Sequence, residues 1–297
     1  MPCFTPLKAY KAPGGGIAFD SKRGYGDRPL ELPCGQCIGC RVARSRQWAL
    51  RCVHEAAMHE RNCFVTLTYS PESLPADGSL NVKHWQKFAK RLRKNVGKFR
   101  FFHCGEYGDR NLRPHYHACI FGMDFSDDRR LWSKSGVNRL YVSDSLSDTW
   151  KLGFATVGSL TYESAAYVAR YVMKKRTGPQ AAEHYERVNP ETGEVFSVVP
   201  EYVTMSRRPG IGATWFEKYV DDVFPRDEVV YQGRKFRVPR YYDDLLERRP
   251  SGPSLLLDLK AKRCYAAGQH SEDLTPDRLR DREFCAKYLD DGIDRPL

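Results

Sequence analysis

Gly105-Glu106-Tyr107-Gly108, followed by Arg113-Pro114-His115-Tyr116-His117-Ala118-Cys119-Ile120-Phe121-Gly122, is the stretch around which the chain is organised. Its second part has β-strand character, and side chains along a strand alternate between faces. His115 and His117 therefore point the same way, with Cys119 and Phe121 continuing their row. Tyr116, Ala118 and Ile120 turn to the other face and pack a core. Pro114 bars regular structure just upstream, so the pair enters its strand at a defined place. Residues 98–104 read as a second strand, and Gly105 and Gly108 mark a turn that carries Glu106 between them. A hairpin of the two strands brings one carboxylate to two imidazoles. That is a three-ligand set for a divalent cation, with positions left for water or phosphate. Read alone, the H-x-H pair is also compatible with a hydrogen-bonded surface pair.

Residues 162–175 read Y-E-S-A-A-Y-V-A-R-Y-V-M-K-K. At helical spacing Ala165, Val168, Ala169 and Val172 form an apolar stripe, while Tyr167, Tyr171 and Lys174 share the opposite side. Two phenols one turn apart, with an ammonium one turn further on, address one ligand. The plainer reading is an amphipathic helix whose tyrosines lean on the edge of the core.

Together these stretches resemble the HUH nucleases: two histidines flanking a bulky residue, a further polar ligand, and a tyrosine helix. The paired tyrosines are similar to those of two-tyrosine replication initiators. Pro33-Cys-Gly-Gln-Cys-Ile-Gly-Cys40, Phe64-Val-Thr-Leu-Thr-Tyr69, Cys104-Gly-Glu-Tyr-Gly108 and Met205-Ser-Arg-Arg-Pro-Gly-Ile-Gly212 resemble replication initiation proteins of gokushovirus-like microviruses, single-stranded DNA phages. The resemblance spans residues 34–246, and its four motifs keep the family's order. It implies an α+β fold with a central, largely antiparallel sheet flanked by helices, residues 63–69 lying in its middle beside the histidine strand. It also implies nicking and rejoining of single-stranded DNA at a phage origin through a 5′-phosphotyrosyl link. Tyr167 and Tyr171 would be the nucleophiles, Lys174 their cationic neighbour, and Glu106, His115 and His117 the ligands of Mg²⁺ or Mn²⁺. No G-x-x-x-x-G-K-[ST] loop occurs, so a host helicase and polymerase are the expected partners, in the host bacterial cytoplasm. The alternatives are an HUH relaxase or transposase with the same site, or a non-catalytic, zinc-stabilised nucleic-acid-binding protein.

The bounds agree. The chain has 297 residues, a formal net charge of +11 and 15 Phe, 17 Tyr and 5 Trp. A basic balance of this size points to a polyanionic partner. No run is apolar enough to span a bilayer, and residues 1–16 lack a signal-peptide core, so a cytosolic protein with no membrane partner is expected. Ten cysteines then favour reduced thiols or a metal over a disulfide framework. Cys34, Cys37 and Cys40 stand at C-x-x-C-x-x-C spacing, suited to one soft ion, with Cys52, Cys63 or His54 as a fourth zinc ligand and Cys52 the preferred one. Such a zinc would be structural, and a turn of packed free thiols is the other reading.

Three domains are expected: an extended N-terminal arm over 1–33, the nuclease domain with its cysteine cluster over 34–225, and a hairpin and helical extension over 226–297. Little regular structure is expected in the arm. Residues 41–61 read as a helix, and residues 82–96 as one with an apolar stripe of Trp85, Phe88, Ala89, Leu92 and Val96. On its other sides Lys87, Arg91 and Lys94 are candidates for phosphate contact, as are Arg207 and Arg208 in a basic turn. Residues 124–147 read as an insertion at the sheet edge.

Overall fold

The computed structural model describes residues 3–108, 111–136, 138–174, 181–189, 192–269 and 271–293. The chain divides into two compact units, Met1–Arg44 with Ser254–Leu297, and Ser45–Pro253. The first begins with β1 (Leu7–Lys11), β2 (Ile17–Ala18) and β3 (Pro29–Leu32), which make a small antiparallel sheet in the order β2-β1-β3. The arm thus carries a small sheet where little regular structure was expected. Alternation along β1 buries Ala9 completely, and the Gly14-Gly15-Gly16 run lets the chain fold back onto β1.

Helix α1 (Ile38–Ala56) starts in this unit and continues into the second. There follow β4 (Asn62–Thr68), α2 (Val82–Val96), β5 (Arg100–Tyr107), β6 (Pro114–Phe121), β7 (Arg130–Ser135), β8 (Asn138–Val142), α3 (Asp144–Trp150), β9 (Ala155–Gly158) and α4 (Tyr162–Lys174). Next come α5 (Ala181–Tyr185), β10 (Glu186–Val188), β11 (Val195–Ser197), β12 (Tyr202–Met205), α6 (Ala213–Val223), β13 (Glu228–Tyr231), β14 (Arg234–Arg237) and α7 (Arg240–Leu246). The chain ends with α8 (Gly252–Gly268) and α9 (Pro276–Ile293).

The second unit is built on a seven-stranded sheet in the order β12-β5-β6-β4-β9-β8-β7, every neighbouring pair antiparallel. The α+β class is therefore as expected, with β4 central and beside the histidine strand. The β7–β8 hairpin is the edge insertion. The sheet has two covered faces. On one, Tyr116, Ala118 and Ile120 of β6 and Val65 and Leu67 of β4 pack with Trp85, Phe88, Ala89 and Leu92 of α2 and Leu146 and Trp150 of α3. On the other, Cys104, Cys119, Phe102 and Phe121 meet Ala165, Val168 and Ala169 of α4 and Ala49 and Cys52 of α1. The stripes read at helical spacing are buried at Trp85, Phe88, Ala89 and Leu92 and at Ala165, Val168 and Ala169, whereas Val96 is 45% exposed at the end of α2 and the Val172 side chain lies outside the described residues.

One local expectation is corrected. Gly105 and Glu106 lie inside β5, paired with Tyr116 and His115, and the turn comes later. Gly105 is there for close approach: a Cβ on it would stand 2.8 Å from the Tyr202 ring and 3.0 Å from Leu80. Among the described residues, no helix is long and apolar enough to cross a membrane.

Candidate active site

Strand pairing assembles the site. Glu106 on β5 is the register partner of His115 on β6, and His115 and His117 pair on the other side with Thr68 and Thr66 of β4. All five therefore share one sheet face. The Glu106 Oε1 lies 2.7 Å from His117 Nε2, and both residues are buried. The other nitrogen of His117, Nδ1, is 3.0 Å from the Thr66 hydroxyl. A hydroxyl both donates and accepts, so Thr66 holds the ring in either tautomer. Phe64 stacks against the same imidazole, centroids 5.7 Å apart.

His115 is oriented differently. Its Nδ1 donates to the Arg113 carbonyl at 2.7 Å, and a carbonyl only accepts, so the proton is on Nδ1 and the Nε2 lone pair is open. Burial and the neighbouring His117 hold its pKa below the usual histidine value, although Glu106 and the Arg113 carbonyl pull the other way. A neutral imidazole is the form that binds metals. The turn behind it is closed by the Gly108 N–H on the Arg113 carbonyl at 2.9 Å. A Cβ at Gly108 would press to 3.2 Å of the His115 ring. The imidazole centroids of His115 and His117 are 6.5 Å apart, so this set is open rather than closed around one point.

Helix α4 crosses the same face. Tyr167, half-buried, presents its ring edge-on to His117 with centroids 5.2 Å apart, and the Arg170 guanidinium lies 6.0 Å from the Tyr167 ring. Tyr171 and Lys174 belong to the helix, but their side chains lie outside the described residues. Thr66, Phe64 and Arg170 were not singled out from sequence. Alternation along β4 put Phe64 and Thr66 in one row, but nothing in the sequence said which strand that row would face.

The family model for replication-associated protein ORF2/G2P matches residues 62–176, the segment that holds Glu106, both histidines and the tyrosine helix. The chain is 31% identical over 274 residues to replication-associated protein VP4 of Bdellovibrio phage phiMH2K, covering 88% of this chain and 82% of that one. It is 34% identical over 248 residues to replication-associated protein ORF2 of Spiroplasma virus 4, covering 78% and 72%. The chain belongs to the phage replication-associated proteins. No solved structure matches it.

In this replication-associated protein the cysteine cluster is completed from an unexpected place. Cys34, Cys37 and Cys40 are joined by Cys3, and the four sulfurs all lie within 4.8 Å of one another, a set that could hold one metal ion. Cys3 Sγ and Cys37 Sγ are 3.8 Å apart, far beyond a disulfide bond. The expected fourth ligand, Cys52, is overturned. It sits three turns further along α1 than Cys40, buried against Cys119 in the sheet core. Cys63 and His54 are likewise buried in the second unit. Cys34 Sγ accepts from the Cys37 N–H at 3.2 Å, the Gln36 N–H at 3.4 Å and the Thr5 hydroxyl at 3.2 Å. Burial raises the Cys34 thiol, but these donors outweigh it and bring it down to about 6. Burial pushes Cys40 up to about 12.

The basic residues are dispersed. Lys87 and Lys94 are exposed on α2, which covers the sheet face opposite the histidines. Arg91 on the same helix donates to the Thr149 and Trp150 carbonyls at 2.7 and 2.9 Å, so its guanidinium caps α3. Arg207 and Arg208 are exposed just beyond β12, at the sheet edge next to β5.

Proposed function

We propose that this protein initiates rolling-circle replication of a single-stranded DNA phage, as an HUH endonuclease that nicks and rejoins the origin strand. One observation carries the reading: Glu106 and His117 in contact, His115 with its Nε2 lone pair open, and Tyr167 edge-on to His117, all on one sheet face.

Glu106, His115 and His117 would hold Mg²⁺ or Mn²⁺. When bound there, the cation polarises the scissile phosphate and offsets charge on the five-coordinate phosphorus. The donor set fits: one carboxylate, one imidazole oriented by a carbonyl and one by a hydroxyl. Tyr167 or Tyr171 attacks phosphorus through its phenolic oxygen, the P–O3′ bond breaks, and the phenol's proton ends on the departing 3′-oxygen. A free phenol has a pKa of roughly 10, so a nearby cation eases this step, and Arg170 and Lys174 are placed in the sequence to supply it. The 5′-phosphotyrosyl bond keeps the energy of the cleaved phosphodiester, so rejoining needs no nucleotide. A host polymerase extends the 3′-hydroxyl and a host helicase unwinds, in the host cytoplasm.

We further assign the four-cysteine cluster to a structural zinc, separate from the chemistry. The experiment for the nuclease reading is a single-stranded oligonucleotide carrying the phage origin, incubated with Mg²⁺ or Mn²⁺ and run on a denaturing gel. A covalent protein–DNA adduct that chelator abolishes is expected. No adduct on any origin-derived strand would remove the nuclease reading and leave a nucleic-acid-binding protein.

A further inference from the structure

A row of side chains runs across the site face of the sheet, with Glu106 opposite His115 and His115 opposite Thr68. The β4–β9 register, with Thr66 opposite Thr156 and Leu67 opposite Ala155, carries on by one residue: the Thr68 N–H donates to the Phe154 carbonyl at 2.8 Å. Phe154 therefore extends the row, and alternation puts its ring on the face of Thr66 and Thr156. Two strand spacings, about 10 Å, separate the backbones of His115 and Phe154.

Trp132 of β7 meets Phe154 there, ring centroids 5.2 Å apart and planes at 57°. Both are exposed, Trp132 at 61% and Phe154 at 46%. The surrounding hairpin is basic: residues 129–142 contain Arg129, Arg130, Lys134 and Arg139 and no acidic residue. Arg130 is paired with Asp144, and Arg129 lies over the Tyr141 ring. Lys134 and Arg139 are different. They are exposed and directly opposite each other in the β7–β8 ladder, on the face of Tyr141, turned away from Phe154.

Exposed aromatic rings on the face of the reacting phosphate are the stacking component of a single-strand binding surface, on which bases lie whatever their sequence. We propose that Trp132 and Phe154 stack bases of single-stranded DNA next to the scissile phosphate. The role of the site in this inference rests on the nicking reading; the binding itself does not.

The test uses the full-length protein, titrated with a mixed-sequence single-stranded oligonucleotide while tryptophan fluorescence is followed. Of the five tryptophans only Trp132 is exposed, the others being buried or half-buried. Single-stranded DNA should quench the emission, and Trp132→Phe should remove most of that quench while keeping affinity. Trp132→Ala with Phe154→Ala should weaken binding roughly 5- to 150-fold, with the dependence of affinity on salt unchanged. Circular dichroism melts check folding, and Trp132→Phe with Phe154→Tyr should retain affinity. An unchanged quench in Trp132→Phe, double-alanine binding within about twofold of wild type, or preference for duplex over single strand would overturn the platform. Quenching and tight binding without any covalent adduct would refute the nicking reading alone. Adduct formation with unaltered double-alanine binding would refute the platform alone.

Discussion

The Tyr167 ring stands perpendicular to the His117 imidazole, planes at 89° and centroids 5.2 Å apart. The contact joins the middle of α4 to the strand that carries both histidines. It sets the Tyr167 ring against the face that carries Glu106, His115 and His117. Four residues further along the same helix stands Tyr171.

Two tyrosines answer a need of the proposed cycle. After nicking, one phenol is consumed as the phosphotyrosyl link while the circle is copied, and the regenerated origin must then be cut by a second nucleophile. Tyr167→Phe and Tyr171→Phe should each still form one covalent adduct, and the double substitution none. Neither single variant should release closed circles over repeated rounds. If either tyrosine can be lost with adduct formation and circle release both intact, the alternating scheme is wrong. Phenylalanine is chosen because it keeps the edge-on ring contact and removes only the oxygen.

His117→Ala should abolish cleavage and leave DNA binding largely intact, since binding rests on phosphate contacts and base stacking elsewhere. Thr66→Val is the finer probe. It keeps volume and strand propensity but removes the hydroxyl 3.0 Å from His117 Nδ1. Loss of an orienting partner of this kind should raise the Mn²⁺ concentration needed for half-maximal cleavage roughly 10- to 100-fold. A Thr66→Val protein with an unchanged Mn²⁺ titration would mean that Thr66 only packs.

Much of this was legible in the sequence, and the parts that were not share a cause. Alternation gave the opposite destinations of His115 and Tyr116, and helical spacing gave the buried stripe of α4, because both periods are set by local backbone geometry. The position of Glu106 was misread because a glycine signals either a turn or a close approach, and Gly105 serves Tyr202 and Leu80. The fourth cysteine was misassigned because Cys52 is near in sequence, whereas Cys3 arrives through a sheet that long-range pairing makes. Phe154 and Trp132 lie 22 residues apart, and only the order β9-β8-β7 brings their rings together.

His54 predicts an acid-sensitive fold. It is buried, stacked 3.5 Å from the Trp215 ring centroid, with Nδ1 2.7 Å from the Tyr242 hydroxyl. Burial lowers its pKa from the usual 6.5 to about 3. Above pH 6.5 the ring is neutral in both folded and unfolded chains, and its contribution is fully present. As pH falls below 6.5 the unfolded chain takes a proton that the folded one refuses. Stability then drops by about 1.4 kcal/mol per pH unit until the folded pKa is reached. Between pH 6.5 and 4.5 the loss from this group is roughly 2–3 kcal/mol. Urea unfolding of wild type and His54→Gln across that range should show the variant weaker at pH 7 but flatter with pH. Parallel pH profiles would assign the acid sensitivity elsewhere.

Cys3 provides the last prediction. A tetrahedral zinc with Zn–S bonds of about 2.3 Å has S···S edges of about 3.8 Å. The Cys3–Cys37 separation is 3.8 Å. The backbone already supplies N–H donors to the sulfurs: Phe4 to Cys37 at 3.3 Å and Cys34 to Cys3 at 3.2 Å, besides those on Cys34. Such donors spread the charge that four thiolates would concentrate around one dication. Freshly reduced protein should therefore hold about one zinc per chain that survives dialysis. Cys3→Ser should weaken zinc retention against a competing chelator and change the absorption of the cobalt-substituted protein, since one sulfur is replaced by oxygen. Cys52→Ser should leave both untouched, whatever it does to the sheet core. Nuclease activity per folded molecule should survive Cys3→Ser, because no cysteine of the cluster is among the residues assigned to the chemistry. Zinc-free reduced protein, or a Cys3→Ser variant that holds zinc and absorbs like the parent, would leave the four cysteines as packed thiols.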